Sequence, residues 1–256
     1  MSRMRRLSGL ALAAALGAGV AGGAAAVAGP GQDVAHGGGE PANLGQVKLD
    51  VQDYYGDWVD DEGKHHHSQD SRWAKDTRAE LDRATRYLEQ RLKRGVENPA
   101  IVLDIDDTSI VSYGWEADND FGFDPAAQED AINRGEFPAN EATLELAQWA
   151  DARGVDVYFL TGRDEHQKPA SMRNLANMGY PEPADAFFDP ETEEQVPDYL
   201  ECGLDCTTVE YKSGTRAHLE QTGATVVLNV GDQYSDLEGG HAERSVKLPN
   251  PMYYID

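Results

Sequence analysis

Apolar runs and amphipathic segments alternate along the second half of the chain. The short apolar runs predict strands, and the segments between them, with apolar residues at helical spacing, predict helices. The predicted strands cover residues 100–105, 155–160, 186–188 and 225–230. The predicted helices cover residues 141–153, 168–178 and 213–221. Strands separated by helices indicate an α/β fold, a doubly wound parallel sheet with helices on both faces.

Two helical patterns come before the first of these strands. Asn43 can cap a first helix, and residues 73–94 form a longer amphipathic pattern. Together they predict an N-terminal helical layer over residues 43–98, ahead of a core over residues 99–256. We expect the two parts to form one domain over residues 43–256.

The segment between the first core strand and the next helix, residues 109–140, is too long for a simple connection. It is rich in acidic residues and contains Trp115, Phe121 and Phe123. The segment predicts a small insertion near the carboxyl ends of the strands. Its aromatic side chains either form a lid that selects a substrate or pack the insertion onto the sheet.

The N-terminus has the pattern of an export signal. Three arginines precede a Leu/Ala/Gly/Val run at residues 10–27, which ends in small residues at Ala28. Residues 1–28 are therefore predicted to be a signal peptide cleaved near Ala28, and residues 29–42 a flexible leader. The alternative is a retained membrane helix, but we expect a secreted protein with no stable membrane insertion after processing.

Charge narrows the possible partners. The chain has 46 acidic and 22 basic residues, a net charge of −24, and loss of the signal would make it more negative. This excess opposes binding to the phosphates of a nucleic acid polymer and favours binding of cations. A small anionic substrate would need a locally positive site.

The two cysteines, Cys202 and Cys206, are four residues apart. In an exported chain such a pair predicts a disulfide that closes a small loop. The alternative is a zinc site, which would need further ligands such as His218 or His241.

A cluster of carboxylates, Asp104-Ile105-Asp106-Asp107, directly follows the first core strand. Side chains alternate along a strand, so Asp104 and Asp106 should point the same way at its end. One carboxylate can act as a nucleophile, and the other can exchange a proton with a leaving oxygen and then with water. The alternative is an acidic turn. Asp107 is expected to point away from the pocket, and no role is assigned to it.

Two later segments offer groups that bind phosphate oxygens. A predicted strand ends in Thr161, and Gly162 allows a phosphate oxygen to approach the backbone closely. Lys212, just before a predicted helix, could neutralise a phosphoryl group or orient Asp104. The alternatives are an ordinary strand-to-helix turn in which Arg163 is a surface charge, and a solvated lysine.

Two more carboxylates, Asp232 and Asp236, follow the last predicted strand. Gly231 before them allows the backbone to turn. Hard oxygen ligands of this kind suit Mg²⁺, which keeps several waters and takes few carboxylates. The alternative is an acidic turn that caps the next helix.

Taken in order, these segments resemble the haloacid dehalogenase (HAD) superfamily of phosphatases, in particular its secreted class B type acid phosphatase branch. The resemblance covers about residues 70–256. Its motifs are Leu-Asp-Ile-Asp-Asp-Thr-Ser, Phe-Leu-Thr-Gly-Arg, Tyr-Lys-Ser and Gly-Asp-Gln-Tyr-Ser-Asp-Leu.

The resemblance implies a HAD-like, Rossmannoid fold and a magnesium-dependent phosphomonoesterase that works through an aspartyl-phosphate. By that likeness Asp104 would be the nucleophile and Asp106 the general acid and base. Thr161, Gly162 and Lys212 would bind the phosphoryl group of a small phosphate monoester.

The resemblance also implies a metal site. Asp232 would bind Mg²⁺ together with the Asp104 carboxylate and the Asp106 carbonyl oxygen. Asp236 would lie next to the metal site or hold Lys212.

Two other functions remain open at this point. The same residues would allow a phosphotransferase that passes the phosphoryl group to an alcohol. A non-catalytic protein that binds cations or phosphate is the other alternative, although relatives of that kind typically lack the nucleophilic aspartate and Asp104 is present. The tract His65-His66-His67 is predicted to be a solvated loop.

Overall fold

The computed structural model describes residues 41–255, and all elements below lie in this part of the chain. The helices are α1 (Leu44–Tyr55), α2 (Arg72–Lys93), α3 (Tyr113–Asp118), α4 (Pro125–Arg134), α5 (Glu141–Asp151), α6 (Lys168–Met178) and α7 (Thr208–Gln221). The strands are β1 (Trp58–Val59), β2 (His65–His66), β3 (Pro99–Leu103), β4 (Asp156–Asp164), β5 (Asp185–Asp189), β6 (Thr225–Gly231) and β7 (Arg244–Lys247).

Five strands form one parallel sheet in the order β5-β4-β3-β6-β7. Leu103, the last residue of β3, is in register with Phe159 of β4 and with Val230 of β6. The carboxyl ends of the three central strands therefore lie at one edge of the sheet, where ligands bind in open α/β folds. The predicted α/β fold is confirmed.

Alternating residues of β3 pack on opposite faces of the sheet. Ile101 and Leu103 belong to an apolar cluster that includes side chains of α2 and α5, whereas Val102 packs in a separate cluster with Leu219 of α7. The side chains of residues 100–103 in this central strand are apolar and buried, so the sheet is covered on both faces. The helical layer contributes to the larger cluster through Leu88 of α2. The proposed division at residue 98 stays a prediction.

Two predicted element ends were wrong in ways that matter for function. Strand β4 continues to Asp164, with an irregular register beyond Leu160, so Thr161 belongs to the strand rather than to a turn. Helix α7 starts at Thr208, not at 213, because Thr207 and Glu210 form a reciprocal capping box. Lys212 therefore lies inside a helix rather than before one.

The histidine tract does not form the predicted solvated loop. His65 and His66 form β2, which pairs with β1 in a two-stranded antiparallel hairpin. The His65 ring contacts the Asp57 carboxylate at 2.9 Å, and the His66 ring contacts Asp60 at 2.8 Å. Burial lowers the pKa of His67 to about 4. The prediction failed because local carboxylates bind the rings and hold the hairpin in place.

The segment 109–140 leaves and rejoins the core at adjacent points. An isolated antiparallel bridge joins Ile110 to Ala139, and the segment contains α3 and α4. Its aromatic residues divide between the two proposed roles. Trp115 packs against the main core, whereas Phe123 is 70% exposed and lines the cavity described below.

The predicted disulfide between Cys202 and Cys206 is present, with Cα atoms 5.0 Å apart, and it leaves neither thiol to bind zinc. The predicted signal peptide and nearly all of the leader lie outside the described residues. Within residues 41–255, no helix has both the length and the apolar composition needed to cross a bilayer.

Replacement of Leu88 by Ala tests whether the N-terminal helices are an integral layer of the fold. Leu88 is fully buried, so Leu88→Ala should lower the free energy of unfolding by about 2–5 kcal/mol. The matched control is Leu49→Ala on α1, where the side chain is 58% exposed and the change should stay within about 0.5 kcal/mol. Urea unfolding measures both. Equal effects of the two substitutions would contradict the packing described here.

Candidate active site

A cavity of about 680 Å³ lies at the carboxyl ends of the central strands. Asp104, the residue directly after β3, lines this cavity. Its N–H donates to the carbonyl of Val230 in β6 at 3.0 Å. The cavity is also lined by Asp106, Thr161 and Lys212. The fold thus brings the sequence-predicted residues of separate segments into one pocket.

Lys212 connects two of the carboxylates. Its Nζ atom donates to Oδ1 of Asp104 at 2.7 Å and also to Oδ1 of Asp236. All three side chains are more than nine-tenths buried. Burial lowers the pKa of Lys212, but the two carboxylates outweigh burial and raise it above its usual value. Lys212 is therefore a protonated, buried cation, not the solvated lysine of the alternative interpretation.

Asp104, Asp232 and Asp236 form a carboxylate cluster, with one oxygen of each within 4.8 Å of the others. The side chains that donate to Asp232 are neutral: Thr108 at 3.2 Å, and Gln233 and Asn250 at 2.7 Å. Burial, followed by repulsion from Asp236, raises the pKa of Asp232 to about 7. Burial also raises the pKa of Asp104, although Lys212 opposes this.

The cluster has the donor set of a metal site. Its ligand atoms are hard oxygens, and the charge of Lys212 offsets only part of the buried negative charge. The residues present therefore fit a divalent cation. The expected ligand set takes the carbonyl oxygen rather than the carboxylate of Asp106, and the carboxylate of Asp106 is indeed not part of this cluster, which has Asp236 as its third member.

The carboxylate of Asp106 instead forms a bidentate ion pair with Arg163. The guanidinium donates to the two carboxylate oxygens at 2.7 and 2.8 Å and to Ser171 Oγ of α6 at 2.7 Å. The interpretation of Arg163 as a surface charge is wrong, because the residue is only 6% exposed. Arg163 fixes the direction of Asp106 at the cavity wall.

Thr161 and Gly162 line the same cavity as Lys212. The Thr161 side chain is buried, and its Oγ1 accepts a hydrogen bond from the Arg163 N–H at 3.1 Å. A Cβ atom placed on Gly162 would meet no atom within 4 Å, so the space beside this backbone is open. An anion could enter that space and contact the backbone.

Asp107, to which the sequence assigned no role, connects three segments of the chain. It is completely buried and accepts hydrogen bonds from the N–H and Oγ of Ser112 and from Oη of Tyr253. Burial is the main reason why its pKa rises to about 7. Asp107 also adopts a positive φ of 49°, an unusual conformation for a non-glycine residue. It joins the loop after β3 to the insertion and to the C-terminal segment.

Several residues that hold the site were missed from the sequence. Asn250 contacts Asp232, and Tyr253 contacts Asp107, but neither belongs to a recognisable motif. Arg216 is fully buried and donates to the carbonyl oxygens of Asp236 at 2.7 Å and of Gly240 at 2.9 Å. A lone arginine in a helix carries no sequence signal of this contact.

Gly231 permits the close approach of Asp236 to the end of β6. A Cβ atom at Gly231 would overlap with the Asp236 side chain, and φ at Gly231 lies outside the left-handed region. Glycine is needed here for space rather than for backbone conformation. The Gly-Asp pair was the signal that identified this turn.

Glu116, on α3 of the insertion, also lines the cavity and was not predicted. It is 6% exposed, and no described residue donates a hydrogen bond to its carboxyl group. Burial, followed by repulsion from Asp106, raises its pKa from the usual 4.5 to about 7.

The fold and the site together define a class: α/β proteins with paired aspartates directly after the central strand of a parallel sheet. Residues 56–256 match the family profile described as HAD superfamily, subfamily IIIB (acid phosphatase), and the chain belongs to this family.

Two plant proteins are similar to this chain in sequence. Acid phosphatase 1 of Solanum lycopersicum is 33% identical over 158 residues, which are 60% of this chain and 58% of that protein. The Stem 28 kDa glycoprotein of Glycine max is 30% identical over 159 residues, 60% of this chain and 59% of that protein. The chain thus spans somewhat under two thirds of the length of these relatives.

A solved structure supports the fold. The class C acid phosphatase from Bacillus anthracis superimposes with a TM-score of 0.57 at 22% identity, over 82% of this chain and 86% of that chain. At this identity the likeness concerns the fold alone.

Replacement of Glu116 by Gln tests whether burial of the Glu116 carboxyl group makes the stability of the protein depend on pH. Because the pKa of Glu116 is raised on folding, its contribution to stability is present below pH 4.5 and is lost as the pH rises through about 7. Glu116→Gln removes this loss, so the variant should gain stability over the wild type between these pH values, by on the order of 2 kcal/mol. Urea unfolding across this range measures it.

The control is Glu193→Gln, because Glu193 is exposed and lies outside the cavity. It should follow the wild type at every pH. A Glu116→Gln curve parallel to the wild type would show that the Glu116 carboxyl is not buried as described.

Proposed function

We propose that the protein is a secreted, magnesium-dependent phosphomonoesterase that works through an aspartyl-phosphate intermediate. The observation that carries the proposal is the contact between Lys212 Nζ and Asp104 Oδ1 at 2.7 Å in a buried pocket. A carboxylate held by a buried cation is a suitable nucleophile toward a phosphate monoester, because the cation also attracts the anionic substrate. Family membership gives independent support.

Asp104 and Asp106 carry the two chemical steps in this proposal. An oxygen of Asp104 attacks phosphorus, the bond from phosphorus to the leaving oxygen breaks, and Asp106 donates a proton to that oxygen. In the second step Asp106 takes a proton from water, the water oxygen attacks phosphorus, and the bond to Asp104 breaks. The products are an alcohol and inorganic phosphate.

The other proposed roles concern charge. Thr161, the backbone at Gly162 and Lys212 would bind the phosphoryl oxygens. Asp104 and Asp232 would hold Mg²⁺ with the carbonyl oxygen of Asp106, and Asp236 would hold Lys212. When bound, Mg²⁺ would supply positive charge that offsets the charge of the phosphoryl group.

The proposed substrates are small phosphate monoesters. The cavity volume of about 680 Å³ suits a small molecule, and the negative net charge disfavours a nucleic acid polymer. Export rests on the arginine-preceded apolar run at the N-terminus and agrees with the disulfide between Cys202 and Cys206.

Replacement of Asp104 by Asn tests the nucleophile. Asp104→Asn should lower kcat for an aryl phosphate by a factor of about 10⁴ or more, because the amide cannot form the acyl-phosphate. Acid-quenched wild-type protein should carry one phosphoryl group detectable by mass spectrometry, and the variant none.

Chelation with EDTA should abolish wild-type turnover, and added Mg²⁺ should restore it.

Asp198→Asn is the matched control, since Asp198 is exposed and outside the cavity. Full activity of Asp104→Asn would refute the mechanism. Metal-dependent phosphate binding without turnover in the wild type would identify a binding protein instead. Formation of a new ester when an alcohol is added would identify a phosphotransferase.

Replacement of Arg163 by Lys tests how Asp106 is held. Lysine keeps the charge but loses the bidentate contact to Asp106 and the contact to Ser171. We expect kcat to fall about 10- to 100-fold for an alkyl phosphate and much less for 4-nitrophenyl phosphate, whose leaving group needs little protonation. The control is Arg173→Lys on the exposed side of α6. An equal loss with both substrates would argue against a role in protonation.

A further inference from the structure

We propose that Glu116 determines substrate specificity by binding a cationic group, such as an ammonium, on the leaving alcohol of the phosphate monoester. The proposal rests on the proposed phosphomonoesterase function and adds the substrate class to it. Glu116 has no part in the chemical steps described above, so its burial in the cavity wall needs another explanation.

The first observation is an unpaired carboxyl group inside the cavity. Glu116 is only 6% exposed, and none of the described residues donates a hydrogen bond to its carboxyl group. A buried carboxylate without a partner is unfavourable. A cation that arrives with the substrate would pair with it.

The second observation is that the helix carrying Glu116 is attached to the loop after β3, which contains Asp104, Asp106 and Asp107. Its helix, α3, begins after Ser112, whose N–H and Oγ both donate to Asp107. At the other end, the N–H of Phe121 donates to the carbonyl of Glu116 at 2.7 Å. These contacts hold the backbone that carries Glu116, and its side chain lies in the wall of the cavity rather than on a free surface loop.

The third observation concerns which side of the site Glu116 faces. Glu116 and Asp106 both line the cavity, and repulsion from Asp106 is the second cause, after burial, of the raised pKa of Glu116. Asp106 is the proposed proton donor to the leaving oxygen, so a group that faces Asp106 also faces the organic part of the leaving alcohol. Glu116 is thus on the leaving-group side rather than on the phosphate side.

The charges around the cavity favour a cation over a neutral hydrogen-bond donor. Among the described residues that line it, the basic side chains are Lys212 and Arg163, and each is already paired with carboxylates. The other charged residues of the wall are acidic and include Glu129 and Asp164, and aromatic residues such as Phe121, Phe123 and Tyr254 also line it. Aromatic faces also attract ammonium groups. An anionic leaving group would be repelled by these carboxylates.

The test compares 2-aminoethyl phosphate with 2-hydroxyethyl phosphate, two esters of similar size that differ in charge. The ratio of their kcat/KM values is measured near neutral pH for the wild type, Glu116→Gln and the exposed control Glu193→Gln. Using the ratio removes any effect common to both substrates. We expect the ratio to fall at least about tenfold in Glu116→Gln, equivalent to about 1.4 kcal/mol, and to stay at the wild-type value in Glu193→Gln.

A second measurement needs only the wild-type protein. 2-Aminoethylphosphonate should inhibit it about tenfold more tightly than 2-hydroxyethylphosphonate. An unchanged substrate ratio in Glu116→Gln, or equal inhibition by the two phosphonates, overturns the assignment of Glu116 while phosphatase activity remains. If the wild type hydrolyses neither these esters nor an aryl phosphate, the proposed function fails instead.

Discussion

The buried ion pair of Lys212 with Asp104 and Asp236 is the interaction on which the site depends. It joins the end of β3, the middle of α7 and the turn after β6 through one ammonium group. A buried cation is tolerated only when carboxylates pair with it, and these carboxylates would in turn repel each other without it. The same contact therefore holds three segments together at the sheet edge and opposes the rise that burial causes in the pKa of Asp104.

The site nevertheless keeps an excess of buried negative charge. The side chains that donate to Asp232 and Asp107 are neutral, so no cationic side chain of the described residues pairs with either carboxyl group directly. Burial raises the pKa of both, and the hydrogen bonds they accept oppose this rise. Such a site attracts cations, and it has room for them at two places. One is the cluster of three aspartates that fits a metal, and the other is the wall around Glu116, which faces the leaving group.

The sheet and the chemistry-bearing segments could be predicted because both depend on local pattern. Apolar runs separated by helices determine a parallel sheet, and such sheets place the residues after their strands at one edge. Element ends were less predictable. The start of α7 depends on the capping box of Thr207 and Glu210, which lies ahead of the apolar pattern, and β4 continues through polar residues because β5 pairs with it as far as Asp164.

The sequence by itself determined the α/β class, the edge at which the site lies, the disulfide, and the presence of Asp104, Lys212 and Asp232 in one pocket. Only the tertiary structure decided how the remaining charges pair. Asp106 meets Arg163 across 57 residues of chain, and Asp107 meets Tyr253 across 146. Local pattern encodes which residues share a strand or a helix face, whereas contacts between segments so far apart arise only when packing brings them together.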